Sequence, residues 1–124
     1  MKEVRMSRAI LGLAVLAASA VPALAQDPLK VAPETYSVVF ENDQVRVLRA
    51  VVAPSAKTPM HEHPANVVIP LTDAVVRFTL PDGTTQDVQL TRGTPVWGPA
   101  GMHAGENVSQ AKGEVIIVEL KSKK

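Results

Sequence analysis

The sequence predicts an all-β fold of short antiparallel strands, arranged as a sandwich or a small barrel. Short runs rich in valine and isoleucine recur along the chain, separated by turn residues such as Asn42-Asp43 and Pro81-Asp82-Gly83. No stretch beyond residue 25 keeps the 3.6-residue apolar spacing of a helix over three turns. About seven strands at this spacing, with prolines confined to turns and strand ends, favour a sandwich or barrel.

The individual strands follow from residue type and alternation. In the clearest hairpin, Val76 and Phe78 alternate with Arg77 and Thr79 before the Pro-Asp-Gly turn, so one face of the ribbon is expected to point inward. The strand-like runs are 36–42, 45–53, 66–71, 74–80, 86–90 and 114–120.

The first 25 residues have the layout of a secretory signal peptide. A basic start is followed by an alanine-rich apolar run, and Ala23-Leu24-Ala25 offers cleavage after Ala25. The alternative is a retained membrane anchor, but an apolar stretch of about 17 residues broken by Pro22 is short of the roughly 20 that a bilayer requires. We therefore expect a periplasmic or secreted protein, with no membrane association after cleavage.

The remainder divides into three parts. Residues 26–34 contain two prolines and no periodicity, and they are predicted to form an extended lead-in. Residues 35–121 form the folded domain, and residues 122–124 form a solvated basic tail.

Composition excludes several functional classes. Three of the 13 basic residues and one of the 12 acidic residues lie in the signal, so the remaining chain is close to neutral. With one Trp, one Tyr and two Phe, it lacks the basic patch and aromatic platforms of a nucleic-acid-binding protein. There is no cysteine, no G-x-S-x-G elbow, no phosphate loop and no dinucleotide fingerprint. Without disulfides, the stability of the domain must come from an apolar core or from a core plus a metal, and dimerisation would add to it.

The three histidines are the candidate metal ligands. His61 and His63 are one residue apart, so in an extended strand both rings project from one face while Glu62 points the other way. The third ligand that a useful site needs can come from His103, which follows the Pro99-Ala100-Gly101 turn. Three neutral imidazoles suit Zn²⁺, Fe²⁺, Ni²⁺, Cu²⁺ or Mn²⁺, and the sequence does not select one. The alternative is that the histidines serve only for hydrogen bonding.

The region around His103 resembles the second motif of the cupin family, G-x5-P-x-G-x2-H-x3-N. Gly93, Pro99, Gly101, His103 and Asn107 fall in register, with one residue instead of two between Gly101 and His103.

The first cupin motif, G-x5-H-x-H-x3–4-E-x6-G, is less complete. His61 and His63 match its histidine pair, whereas Ser55 stands at its first glycine. Its glutamate falls on Val67 or Val68, and its closing glycine falls near Ala74.

The resemblance implies a single cupin barrel, a double-stranded β-helix or jelly roll that often dimerises and holds a metal in its mouth. A site of His61, His63 and His103 without the glutamate would leave the metal dicationic and suited to a small, anionic molecule. The resemblance allows a metal-dependent dioxygenase or isomerase, and no catalytic residue is identified. The alternative is a non-catalytic ligand-binding or structural cupin with a vestigial site.

Four further residues have structural interpretations. Glu62 and Glu106 have the wrong parity to join the histidines, so both are expected to face solvent. Trp97 is expected in the core or a dimer interface, and Asn107 is expected to pin a turn.

Overall fold

The computed structural model describes residues 26–122, which form two antiparallel β-sheets and one short helix. This is the jelly-roll barrel that the sequence predicts, although it contains nine strands in this range rather than about seven. The elements are α1 (Pro28–Val31), β1 (Tyr36–Glu41), β2 (Val45–Val52), β3 (Lys57–His63), β4 (Asn66–Pro70), β5 (Ala74–Thr79), β6 (Thr85–Leu90), β7 (Val96–Gly98), β8 (Gly101–Asn107) and β9 (Gly113–Leu120).

The two sheets have interleaved strand orders. One sheet runs β1-β2-β9-β4-β7, and the other runs β3-β8-β5-β6. The chain therefore crosses repeatedly between sheets, which is the pattern of a jelly roll. Strands β3 and β8, which carry the three histidines, are neighbours in the smaller sheet.

The buried core lies on the inner face of the larger sheet. Leu48 and Ala50 from β2 and Ile117 from β9 pack with Tyr36 and Ala32. Because β2 and β9 pair along their full lengths, their alternate side chains form a continuous apolar layer.

The expected extended lead-in is wrong in part, because Pro28–Val31 form a helical turn. Asp27 caps this turn, since its side chain accepts a hydrogen bond from Leu29 N at 2.9 Å. Proline at the first helical position has a φ suited to a helix and lacks an N–H that the helix would leave unpaired. The turn packs against the core through Leu29 and Val31.

The expected confinement of prolines to turns and strand ends is also wrong, because Pro59 lies inside β3. Pairing with β8 is irregular between Thr58 and His61, and β3 is an edge strand. A bulged edge strand tolerates a residue that has no N–H to donate.

The predicted hairpins are confirmed. Strands β5 and β6 are antiparallel: Ala74 pairs with Leu90 at one end, and Thr79 pairs with Thr85 at the other. In the connecting turn Gly83 has a φ of +85°, which glycine adopts without steric cost. The Asn42 side chain closes the β1–β2 turn by accepting hydrogen bonds from Gln44 N and Val45 N.

The predicted signal peptide, residues 1–25, lies outside the described residues, as do the last two residues of the predicted tail. Within residues 26–122, no helix is long and apolar enough to cross a membrane.

Candidate metal centre

His61 and His63 share one face of β3, as their spacing predicts. Both side chains are buried, with 0% and 3% exposure, whereas Glu62 between them is less buried. They lie in the last three residues of the strand, just after the bulge at Pro59.

Strand β8 brings the third histidine to the same place. His103 is the direct cross-strand partner of His61, and directly opposed residues project from the same face of a sheet. The predicted third ligand is therefore adjacent to the first two in space, although 40 residues separate it from His63 in sequence.

The three rings form a compact cluster. The centroid of His61 lies 4.9 Å from that of His63 and 4.8 Å from that of His103. One ring nitrogen from each histidine lies within 4.8 Å of the others, which identifies the three as a group that could hold a metal ion. The Phe78 ring packs against His103 at a centroid distance of 4.6 Å.

Hydrogen bonds orient two of the rings. His61 Nδ1 donates to the Pro59 carbonyl at 2.7 Å, and His63 Nδ1 donates to Glu119 Oε2 at 2.7 Å. Both acceptors require a hydrogen on Nδ1, so the neutral rings carry their lone pairs on Nε2. This donor set fits a divalent transition metal, because ligating histidines characteristically donate the other N–H to a carbonyl or carboxylate.

The histidine cluster opens into a cavity of about 360 Å³. Its wall is mainly apolar, and none of the lysines and arginines within residues 26–122 lines it. The apolar side chains come from both sheets, and they include Val76, Phe78, Val88, Leu90, Val115 and Ile117.

Comparison with known proteins identifies this architecture. The sequence matches no family model and no curated protein, but the fold matches solved structures. A cupin domain from Bordetella pertussis is 29% identical with a TM-score of 0.65, and the match covers 70% of this chain and 92% of that chain. This chain has the cupin fold.

Two more distant structures share the fold. A conserved protein with a double-stranded β-helix domain from Klebsiella pneumoniae is 17% identical to this chain, with a TM-score of 0.55 and coverage of 71% and 84%. A Cupin 2 conserved barrel domain protein from Salinispora arenicola is 18% identical, with a TM-score of 0.53 and coverage of 70% and 75%.

Glu119 is a functional candidate that the motif search missed. It is 1% exposed, and its second oxygen accepts a hydrogen bond from Arg46 Nε at 2.6 Å. Arg46 also pairs with Asp27 at 2.9 Å, so a chain of charged groups runs from the α1 cap to His63. The alternation of β9 contains the signal that reveals Glu119, because it has the parity of Val115 and Ile117 and must face inward with them.

The electrostatics of the cluster favour neutral imidazoles. Burial and the neighbouring His61 and His63 lower the pKa of His103 to about 3. Burial is also the main cause that lowers the pKa of His61. For Glu119, burial acts to raise the pKa, but the hydrogen bonds from His63 and Arg46 outweigh it and lower the pKa. The Glu119 carboxylate therefore stays ionised, and burial keeps His61 and His103 neutral.

The structure distinguishes between Val67 and Val68, the two positions on which the glutamate of the first motif could fall. Val68 lines the cavity, whereas Val67 does not. The group of potential metal-binding side chains found among the described residues contains neither Glu62 nor Glu106. Glu106 is half-buried and borders the cavity rather than facing fully into solvent.

Trp97 is expected in the core or in a dimer interface, and the structure shows that the core position is wrong. Its side chain is 58% exposed and lines the cavity from β7, an edge strand that pairs only with β4 in the described sheets. The expected role of Asn107 is confirmed, since this buried side chain donates to Val52 O and Ala111 O and accepts from Ser109 N.

Proposed function

We propose that this protein binds a divalent transition metal through His61, His63 and His103 and holds a small molecule against it. The observation that carries the proposal is the convergence of three ring nitrogens within 4.8 Å beside the cavity. When bound, the ion would act as a Lewis acid on an oxygen of the small molecule.

The apolar wall of the cavity indicates which kind of small molecule it could bind. Its apolar lining favours a compact, largely apolar molecule of up to about a dozen heavy atoms, in a cavity near the lower end of the usual range for ligand pockets. Because no lysine or arginine of the described residues lines the wall, the bound cation would be the main attraction for an anionic or oxygen-bearing end. The proposed ligand is therefore a small molecule with one polar, metal-binding group and an apolar body.

Ligand binding without a chemical reaction is favoured over catalysis as the function of the site. Apart from the histidines, the titratable side chains that border the cavity within residues 26–122 are Tyr36 and Glu106. Glu106 pairs across strands with Lys57 and Arg77, so it is not directed at the histidine cluster. The second candidate function is a dioxygenase or isomerase reaction, which the open cavity beside three histidines supports.

The test is the metal content of the purified, untagged protein. We expect about one transition metal ion per chain, lost in a His61→Ala/His63→Ala variant. Glu62→Gln is the matched control, because it changes the same strand on the opposite face and should retain the metal. If neither the parent nor the control takes up Zn²⁺, Fe²⁺, Ni²⁺, Cu²⁺ or Mn²⁺ on titration, the histidines are vestigial and the proposal fails.

We also propose export and dimerisation. The signal-like residues 1–25 support export, and a mature protein starting at Gln26 in the periplasmic fraction would bear this out.

Dimerisation is supported by the edge strand β1, where the side chains of Val38, Val39 and Phe40 are 44%, 52% and 55% exposed. An apolar edge strand can pair with its own copy about a twofold axis, so light scattering should give a dimer for the parent protein and a monomer for Val39→Lys.

A further inference from the structure

Tyr36 lies directly against the histidine cluster. It is the first residue of β1, it is 8% exposed, and its ring centroid is 5.3 Å from that of His61 and 5.8 Å from that of His63. It also lines the cavity. The phenol therefore belongs to the same enclosed volume as the candidate ligands.

The Tyr36 hydroxyl points at the ring nitrogen that would bind the metal. Its oxygen lies 3.1 Å from His61 Nε2. Because His61 Nδ1 is occupied by the Pro59 carbonyl, Nε2 carries the lone pair, and the phenol donates its hydrogen to it. A metal ion on this lone pair would take the place of that hydrogen bond, and the phenol oxygen would remain beside the ion.

The spacing suits two donors that share one metal ion. Nitrogen and oxygen ligands bind transition metals at about 2.0 to 2.2 Å, so two ligands at neighbouring positions lie about 3 Å apart. The 3.1 Å separation between Tyr36 Oη and His61 Nε2 matches this value. In the metal-free protein the same distance is that of a hydrogen bond, so the phenol oxygen already lies where a ligand next to His61 Nε2 would lie.

The three histidines leave a place for an oxygen donor. Val68 stands in the cavity wall at the position where the first motif carries its glutamate, and an aliphatic side chain cannot bind a metal. Glu119 is engaged behind His63 by hydrogen bonds to both of its oxygens. Tyr36 supplies an oxygen from a different strand, β1, on the opposite sheet from β3 and β8.

We propose that Tyr36 is the fourth protein ligand of the metal and replaces the glutamate of the first motif. The inference rests on the proposed metal site at His61, His63 and His103. On binding, the phenol oxygen forms a bond to the metal, and its proton leaves to solvent. A phenolate adds one negative charge to a set of three neutral imidazoles, as the motif glutamate would.

The test is visible and resonance Raman spectroscopy of the protein loaded with Fe²⁺ and oxidised to Fe³⁺. We expect a phenolate-to-metal charge-transfer band with tyrosine ring modes. Tyr36 is the only tyrosine in the chain, so any such band is assigned to it. Tyr36→Phe should lose the band, retain iron and bind the metal about tenfold or more weakly.

Uniform labelling with 3-fluorotyrosine provides a second measurement that does not depend on the variant's stability. Because it changes only residue 36, the band must shift if Tyr36 is a ligand. Iron bound without a charge-transfer band overturns the Tyr36 inference and leaves the histidine site intact. Absence of iron from parent and variant alike overturns the histidine site, and the Tyr36 inference with it.

Discussion

His63 Nδ1 donates a 2.7 Å hydrogen bond to Glu119 Oε2, and both side chains are almost completely buried. The carboxylate fixes the ring in the tautomer that presents Nε2 to the cavity. Because Arg46 holds the other carboxylate oxygen, Glu119 cannot turn toward the cavity without breaking its ion pair with Arg46. Glu119 thus holds the ring of a candidate ligand, His63, in place and does not belong to the histidine group itself.

Replacing Glu119 by Gln should weaken metal binding by about 10- to 100-fold, the usual cost of removing a partner that orients a ligating histidine. The measurement is a competition titration with a chelating indicator. Glu114→Gln is the matched control, because Glu114 lies on the same strand and pairs with Arg49 outside the cluster. Equal metal affinity in the two variants would contradict the proposed role of Glu119.

Replacing Asn107 by Ala should destabilise the fold by about 2 to 4 kcal/mol while leaving the histidines in place. The buried amide satisfies two carbonyls and one backbone N–H, and each unsatisfied buried group costs about 1 to 3 kcal/mol. Urea denaturation measures the loss. Asn42→Ala, at an exposed turn, should cost less than half as much, and a cost as large as that of Asn107→Ala would refute this account.

The metal-free protein should lose stability as the pH falls from 6.5 toward 3. The pKa of His103 is about 3 in the folded chain and about 6.5 in the unfolded chain. The unfolded chain therefore binds the proton first, and the free energy of unfolding falls by up to about 1.4 kcal/mol per pH unit. Glu119 contributes in the same direction at lower pH, because folding lowers its pKa from 4.5.

Calorimetric melting of the metal-free protein across this range measures the effect of pH. His103→Gln should give a shallower decline, because it removes the group with the largest shift. A melting temperature that stays constant between pH 6.5 and pH 4 would show that burial does not suppress protonation of the cluster.

Replacing Gly98 by Ala should destabilise the protein by about 1 to 3 kcal/mol, the usual cost of overpacking. A Cβ at this position would collide with the Asn66 side chain, which is 4% exposed and donates to Pro64 O at 2.9 Å. In a thermal melt, Asn66→Ala in the same chain should recover part of the loss. If the double variant loses as much stability as the two single variants lose together, the collision between the two side chains is contradicted.

The sequence predicts those parts of the fold that depend on local chemistry. Strand alternation locates β5 and β6, and the Pro-Asp-Gly turn locates the hairpin between them. The spacing of His61 and His63 predicts a shared face because strand geometry alone decides it. The helix at Pro28–Val31 escapes prediction because four residues are too few to establish a period.

The components that the sequence does not reveal depend on tertiary pairing. Glu119 reaches His63 across 56 positions, and Tyr36 reaches His61 across 25. Neither contact leaves a spacing in the sequence, because the two sheets bring these residues together. The exposure of Trp97 is also not evident from the sequence. An apolar strand is expected in the core, and only the strand order shows that β7 lies at the edge of its sheet.

The position of Trp97 gives the protein an internal optical reporter. It is the only tryptophan in the chain, and its exposed indole lines the cavity that also contains the histidines. Indole emission depends on contact with water, so a molecule that binds against the indole will shift the fluorescence of the whole protein. A library of unlabelled small molecules can therefore be screened in the cuvette before any reaction is known.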